Sequence, residues 1–253
     1  MLLTRSRVMT PEHLNAAAAI IGAIAWPLIV LFVLLTYRKP LAKLLDNLES
    51  FTLPGGFQAK LQKAVEREAQ TVIQANPDAT KQVTADQVVA AERVGRLAAQ
   101  SDLMVAREQM IELAKQYERV RGAMPPGEER TTQMEIVVTK MRTLAIACRP
   151  FVTDFVQSGD PGVRLAAIAI LQVTPDARYL GWLSQRFKEE TPFVAYQTGV
   201  ALLTAARVSD QVNRAAVEQA ILTAKDALGK DAQSTDRSRL LEQALSELRA
   251  AAT

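Results

Sequence analysis

The densest concentration of polar side chains is formed by Tyr117, Arg119, Arg121, Glu128, Glu129, Arg130, Thr131, Arg142 and Arg149. Arginine forks and hydroxyls suit a phosphate or a carboxylate, and Arg130 and Thr131 stand where a helix is expected to begin, so that exposed amides would join them. Tyr117, Arg121, Arg130, Thr131 and Arg142 are therefore the candidate anion or partner contacts. The competing reading is a set of solvated salt bridges across a helical hairpin, with Glu118, Glu128 and Glu129 as the acids.

Covalent or metal chemistry has little to draw on. The one histidine, His13, lies on the far side of the apolar stretch described below, away from every later residue. No Ser-His, Cys-His or His-metal pair with the later residues is then expected within one chain. The one cysteine, Cys148, sits in LAIACRP among apolar neighbours, which marks an inert buried thiol. Glu128 or Glu129 beside the arginines would be the only general base on offer, and both are ordinary surface residues. No catalytic residue, cofactor or metal site is expected, and the chain is read as a non-enzyme.

The elements that must position these residues begin with a membrane span. From Leu14 to Tyr37 about 24 residues pass without a formal charge, and a hydrocarbon core about 30 Å thick needs roughly 20 residues at 1.5 Å each. AIIGAIAWPLIVLFVLL has no polar face, unlike a soluble amphipathic helix. The rival reading is an export signal cut after Ala25, which would leave a greasy mature terminus. Arg38, Lys39 and Lys43 follow the span directly, so the larger C-terminal part is expected in the cytoplasm and the N-terminus outside, in the cytoplasmic membrane. Ala18, Ala19, Gly22 and Ala23 form pairs four apart that would let two spans approach closely, which would make the protein a homo-oligomer. A net charge of +3 is too mild to imply nucleic acid.

The remainder reads as helices. Ala, Leu, Glu, Gln, Lys and Arg dominate, and aromatic residues make up only 5%, so helix is the expected class throughout. A tail (residues 1–13) and the span (14–37) precede juxtamembrane helices (38–75), with a hinge at LPGG (53–56). Leu41, Leu44, Leu45, Leu48 and Phe51 give the first of these an apolar face for the membrane interface, a second subunit or the helical body. Residues 76–146 read as a linker, ANPDATKQ, and a helical hairpin. A long helix is expected from the capping box Thr84 to Gln87, with Leu97, Met104 and Ile111 as a heptad stripe joined by Leu103, Met110, Ala114 and Tyr117. After RGAMPPGEERTTQ, the positions Met134, Val137, Val138, Met141, Leu144 and Ala145 resume an apolar face.

Residues 147–253 show an internal pattern. Asp160-Pro161, Thr174-Pro175 and Thr191-Pro192 are each a capping residue followed by proline, and a helix is expected to start at all three. Ile168 to Leu171 match Val200 to Leu203 at a spacing of about 32 residues. Through the Asp-Pro-x-Val-Arg pattern at Asp160 to Arg164 and the following LAAIAIL, residues 147–206 resemble HEAT-like α-solenoid repeats, with capping helices at 209–227 and 236–251. The resemblance implies stacked helix pairs and a partner-binding surface that would include Arg164 and Tyr196. The second unit has Tyr196 and Gln197 where an Arg is expected, and the repeat is short for that family. The layout as a whole is also similar to uncharacterised bacterial single-pass membrane proteins, some of which resemble components of signalling or defence systems.

The expected protein is thus all-α, with one transmembrane helix, juxtamembrane helices, a long helical hairpin and a short HEAT-like domain. Its expected role is a membrane-anchored interaction or scaffold protein that contacts the bilayer and presents a cytoplasmic helical module to a protein partner. The alternative is an oligomeric membrane-perturbing effector of a bacterial signalling or defence system.

Overall fold

The computed structural model describes residues 56–100, 102–228 and 235–250. The chain divides into two compact units, Met1–Gly56 and Phe57–Thr253. The expected span, the self-association pairs at Ala18, Ala19, Gly22 and Ala23, His13 and the helix after the span lie outside the described residues. Among the described residues no helix is long and apolar enough to cross a membrane, and the fold is all-α.

The helices are α1 (Gly56–Ala75), α2 (Ala85–Ala99), α3 (Leu103–Ala123), α4 (Glu128–Cys148), α5 (Val152–Val156), α6 (Pro161–Val173), α7 (Leu180–Glu189), α8 (Pro192–Val208), α9 (Arg214–Asp226) and α10 (Asp236–Ala250). One apolar core runs from Leu61 on α1 to Leu248 on α10. The boundary expected at residues 146–147 therefore falls inside α4, because the core does not stop there. Likewise α1 belongs to the second unit from Phe57 on: Leu61, Val65, Ala69 and Val72 are buried, and Lys140 on α4 reaches Glu66 at 3.5 Å. Glu68, an acid within that seam, is answered by Arg93 on α2 and by Arg67, each at 3.2 Å.

Consecutive neighbours α4, α6, α8 and α10 form one row, while α7 and α9 lie beside each other and pack on α8 and α10; α3 covers α4 and α6. The middle of the row is dictated by composition. In α6 every residue from Leu165 to Val173 is buried, and in α8 the same holds from Gln197 to Leu203. A helix apolar on all sides must be surrounded by protein, and its alanines let the neighbours come close. At Gly162 a Cβ would stand 2.6 Å from the Ala114 carbonyl oxygen, so only glycine admits the start of α6 against α3.

Several local expectations are corrected. The helix begun at Thr84 ends at Ala99, and a new one opens with the Asp102 carboxylate accepting from the Met104 amide at 2.8 Å. The break shifts the helical phase, so Met104 is exposed. The other members of the stripe hold: Met110, Ala114 and Tyr117 are buried on α3 with Ala106 and Leu113, and Leu97, Leu103 and Ile111 pack against the core. The Thr84 hydroxyl does accept from the Gln87 amide at 3.3 Å, but the Gln87 side chain does not return to the cap. It donates to the Thr139 carbonyl and the Thr143 hydroxyl on α4. ANPDATKQ is not an open linker: Pro77–Thr80 is a 3₁₀ turn with Ala79 and Thr80 buried, and it packs on α4. Of the three expected starts, Asp160 caps α6 and Pro192 opens α8, whereas Thr174 terminates α6. The cap near Pro175 is Asp176, which opens the 3₁₀ turn Ala177–Tyr179 ahead of α7.

Candidate functional site

The end of α3 and the starts of α4, α8 and α10 enclose an open cleft of about 1110 Å³. Three helix N-termini on one cleft bring partial positive charge to it, since the amides of a first turn have no partners within the helix. Tyr117, Glu118 and Arg121 line it from α3; Arg130, Thr131, Met134 and Glu135 from α4; Phe193 and Tyr196 from α8; Arg237, Arg239 and Leu240 from α10; and Lys81 from the segment before α2.

Four of the five candidate contacts read from the hairpin, Tyr117, Arg121, Arg130 and Thr131, line this cleft, and Tyr196 joins them. Tyr117 is buried, stacked on Phe193 with ring centroids 5.8 Å apart. Burial pushes its hydroxyl up to about 12. Burial also raises Tyr196, and the Glu135 carboxylate adds to the shift. Both phenols stay protonated at neutral pH, and the buried Tyr117 hydroxyl is already hydrogen-bonded to the Thr191 side chain.

The cleft holds the cations Lys81, Arg121, Arg130, Arg237 and Arg239 against the acids Glu118, Glu135 and Asp236. Arg121 pairs with Glu118 at 3.2 Å, Arg239 with Asp236, and Glu135 accepts from the Thr80 hydroxyl at 3.0 Å. Among the described residues Lys81, Arg130 and Arg237 have no acidic partner, and the buried Arg130 Nε has no hydrogen-bond partner.

Arg142 is corrected outright. It lies 12 residues beyond Arg130 on the same helix, roughly 18 Å along the axis, and is fully buried. Its Nε donates to Gln172 Oε1 at 2.6 Å, Nη1 to the carbonyls of Ala79 and Thr80 at 3.0 and 3.1 Å, and Nη2 to Gln197 Oε1 at 3.0 Å. Desolvation lowers the guanidinium to about 10, so it remains charged at neutral pH. It ties α4, α6, α8 and the Pro77–Thr80 turn together and faces no solvent. Arg164 is also placed away from the cleft. Its Nε donates to Glu190 at 2.6 Å and its Nη1 to the carbonyls of Ser158 and Gly159, which closes the loop before α6 onto the end of α7. Arg119 is exposed and paired with Glu112 at 2.8 Å. Arg149 stands at the opposite end of α4 from Arg130.

The sequence reading missed Gln172 and Gln197, whose signal was an uncharged amide set in otherwise apolar helix. It also missed Lys81, Arg237 and Leu240, which reach the cleft from distant segments and carry no local signal. Cys148 is fully buried with its Sγ 3.3 Å from the Ala106 carbonyl oxygen, and burial pushes the thiol up to about 12. At neutral pH it is not a nucleophile. Among the described residues no group of three or more His, Cys, Asp or Glu is placed to hold a metal ion. No family model matches the chain, and neither does any curated protein or solved structure.

Proposed function

We propose that the chain is an anchored interaction module. An N-terminal span over residues 14–37 holds it in the cytoplasmic membrane with its N-terminus outside, and the helical body receives a protein partner on the cytoplasmic side. The observation that carries this reading is the convergence of Tyr117, Arg121, Arg130, Thr131 and Tyr196 on one open cleft that offers hydrogen-bond donors and charge. The two neighbouring rows of helices and the Asp160 cap support a HEAT-like arrangement of helix pairs, the kind of scaffold whose side chains contact a partner without altering it. The uncharged stretch from Leu14 to Tyr37 supports the anchor.

The test is photo-crosslinking in the native cell. A benzophenone side chain at Thr131 is expected to give a discrete crosslinked partner in the membrane pellet, while the same group at the exposed Gln219, on α9, gives none. Equal crosslinking from both positions would remove the cleft from the reading, and recovery of the protein in the supernatant would remove the anchor.

A further inference from the structure

Half-buried Arg164 is answered by Glu190 and Arg207 by Glu247, while half-buried Arg107 lies over the rings of Phe151 and Phe155. In the cleft, Lys81, Arg130 and Arg237 have neither kind of partner among the described residues. They converge from three separate segments with no acid in salt-bridge contact with any of them, and Glu118 and Asp236 beside them are already engaged. The Arg130 Nε has lost its water without gaining a partner. A buried donor left in that state costs about 1 to 3 kcal/mol, which a bound acceptor recovers. Next to the cations lie Met134, Phe193 and Leu240, an apolar floor within the same cleft.

We propose that the cleft is the receptor for an acidic segment of a partner protein, whose carboxylates answer Lys81, Arg130 and Arg237 while an apolar side chain rests on Met134, Phe193 and Leu240. The proposal rests on the interaction-module reading and names the chemistry of the partner. The volume of about 1110 Å³ is larger than a lone inorganic anion needs and admits several residues of extended chain. Glu118, Glu135 and Asp236 inside the cleft would repel a uniformly anionic polymer such as a phosphate backbone, whereas a peptide can place amides and apolar groups against them. A concave surface also does not fit the plane of a bilayer.

Phage display of random dodecapeptides on the full chain in detergent micelles tests this. Selected peptides are expected to carry two or more Asp or Glu residues flanking an apolar one. A fluorescein-labelled synthetic copy of the leading peptide should lose about tenfold in affinity for Arg130→Ala, and about a hundredfold for Lys81→Gln/Arg130→Gln/Arg237→Gln, with binding that weakens as salt rises. Unchanged thermal unfolding of these variants separates lost binding from lost fold. Three results would overturn the proposal: no selected peptide, selected peptides without acids, or equal affinity for the triple variant. Preferential binding of poly(U) RNA over the acidic peptide would overturn it too. If the Thr131 crosslink to the native partner persists in the triple variant, this inference fails and the interaction module stands. If acidic peptides bind but no native partner crosslinks, the cleft's preference for acidic segments stands and its native use in an interaction module does not.

Discussion

Arg130 and Arg142 stand on the same helix and have opposite fates. Arg142 is enclosed, with four of its five N–H groups bonded to uncharged acceptors on three other segments. Arg130 opens onto a cleft and meets no acceptor through its Nε. A buried charge without an opposite charge survives only if dipoles surround it, and the Ala79, Thr80, Gln172 and Gln197 oxygens do so. The difference teaches that arginine content alone does not locate a binding site. One arginine has its donors taken up by the fold, and the other keeps them available.

The largest way to break this contrast is Arg142→Ala. It leaves four buried acceptors and a cavity, and we expect a loss of about 4 kcal/mol in urea unfolding of the full chain followed by far-UV circular dichroism. A loss under about 1 kcal/mol would mean that the network is ornamental to the fold. Next comes Gly162→Ala, which drives a methyl group to 2.6 Å from the Ala114 carbonyl oxygen and should cost about 2 kcal/mol by the same measurement. A neutral result would show that α3 and α6 can separate without penalty.

Tyr117 sharpens the contrast through pH. Its hydroxyl is raised from 10.0 to about 12 in the fold, so between those values the unfolded chain holds fewer protons than the native one. Stability from this group is complete below pH 10 and is lost as pH climbs toward 12. Stability profiles of wild type and Tyr117→Phe should therefore run parallel below pH 10 and diverge above it, with the wild type falling faster; parallel curves throughout would contradict the buried phenol. The smallest effect is that of Arg130→Ala on stability, expected to be a gain of no more than about 1 kcal/mol, because the change removes an unpartnered buried donor and breaks no ion pair or hydrogen bond among the described residues. A cost comparable to that of Arg142→Ala would erase the distinction between the two arginines.

Much of the fold was legible because helical periodicity is a local property. Met134, Val137, Val138, Met141, Leu144 and Ala145 were read as one apolar face and all are buried. Asp160-Pro161 was read as a helix start and caps α6, with the Asp160 carboxylate accepting from the Val163 amide at 3.0 Å. Where two local signals competed, the reading failed. The heptad at Leu97, Met104 and Ile111 counted through a helix break and so misplaced Met104, though Leu97 and Ile111 do pack on the core, since a period of seven carries no information about whether the helix continues. Thr174-Pro175 has the same form as Asp160-Pro161, yet Thr174 is the C-cap of α6, where the proline that follows cannot continue the helix.

The candidate site divides along the same line. Tyr117, Arg121, Arg130 and Thr131 sit on either side of one short connection, so sequence nearness brought them together before any folding was considered. By itself the sequence determined the helical class, the caps at Thr84 and Asp160, and the apolar faces, because each depends on residues within one or two turns. Only the tertiary structure decided that Arg142 is enclosed while Arg130 is not, and that Lys81, Tyr196 and Arg237 share a cleft with the hairpin. Burial and the meeting of distant segments are set by how helices pack across the whole chain, and no short window of residues encodes that.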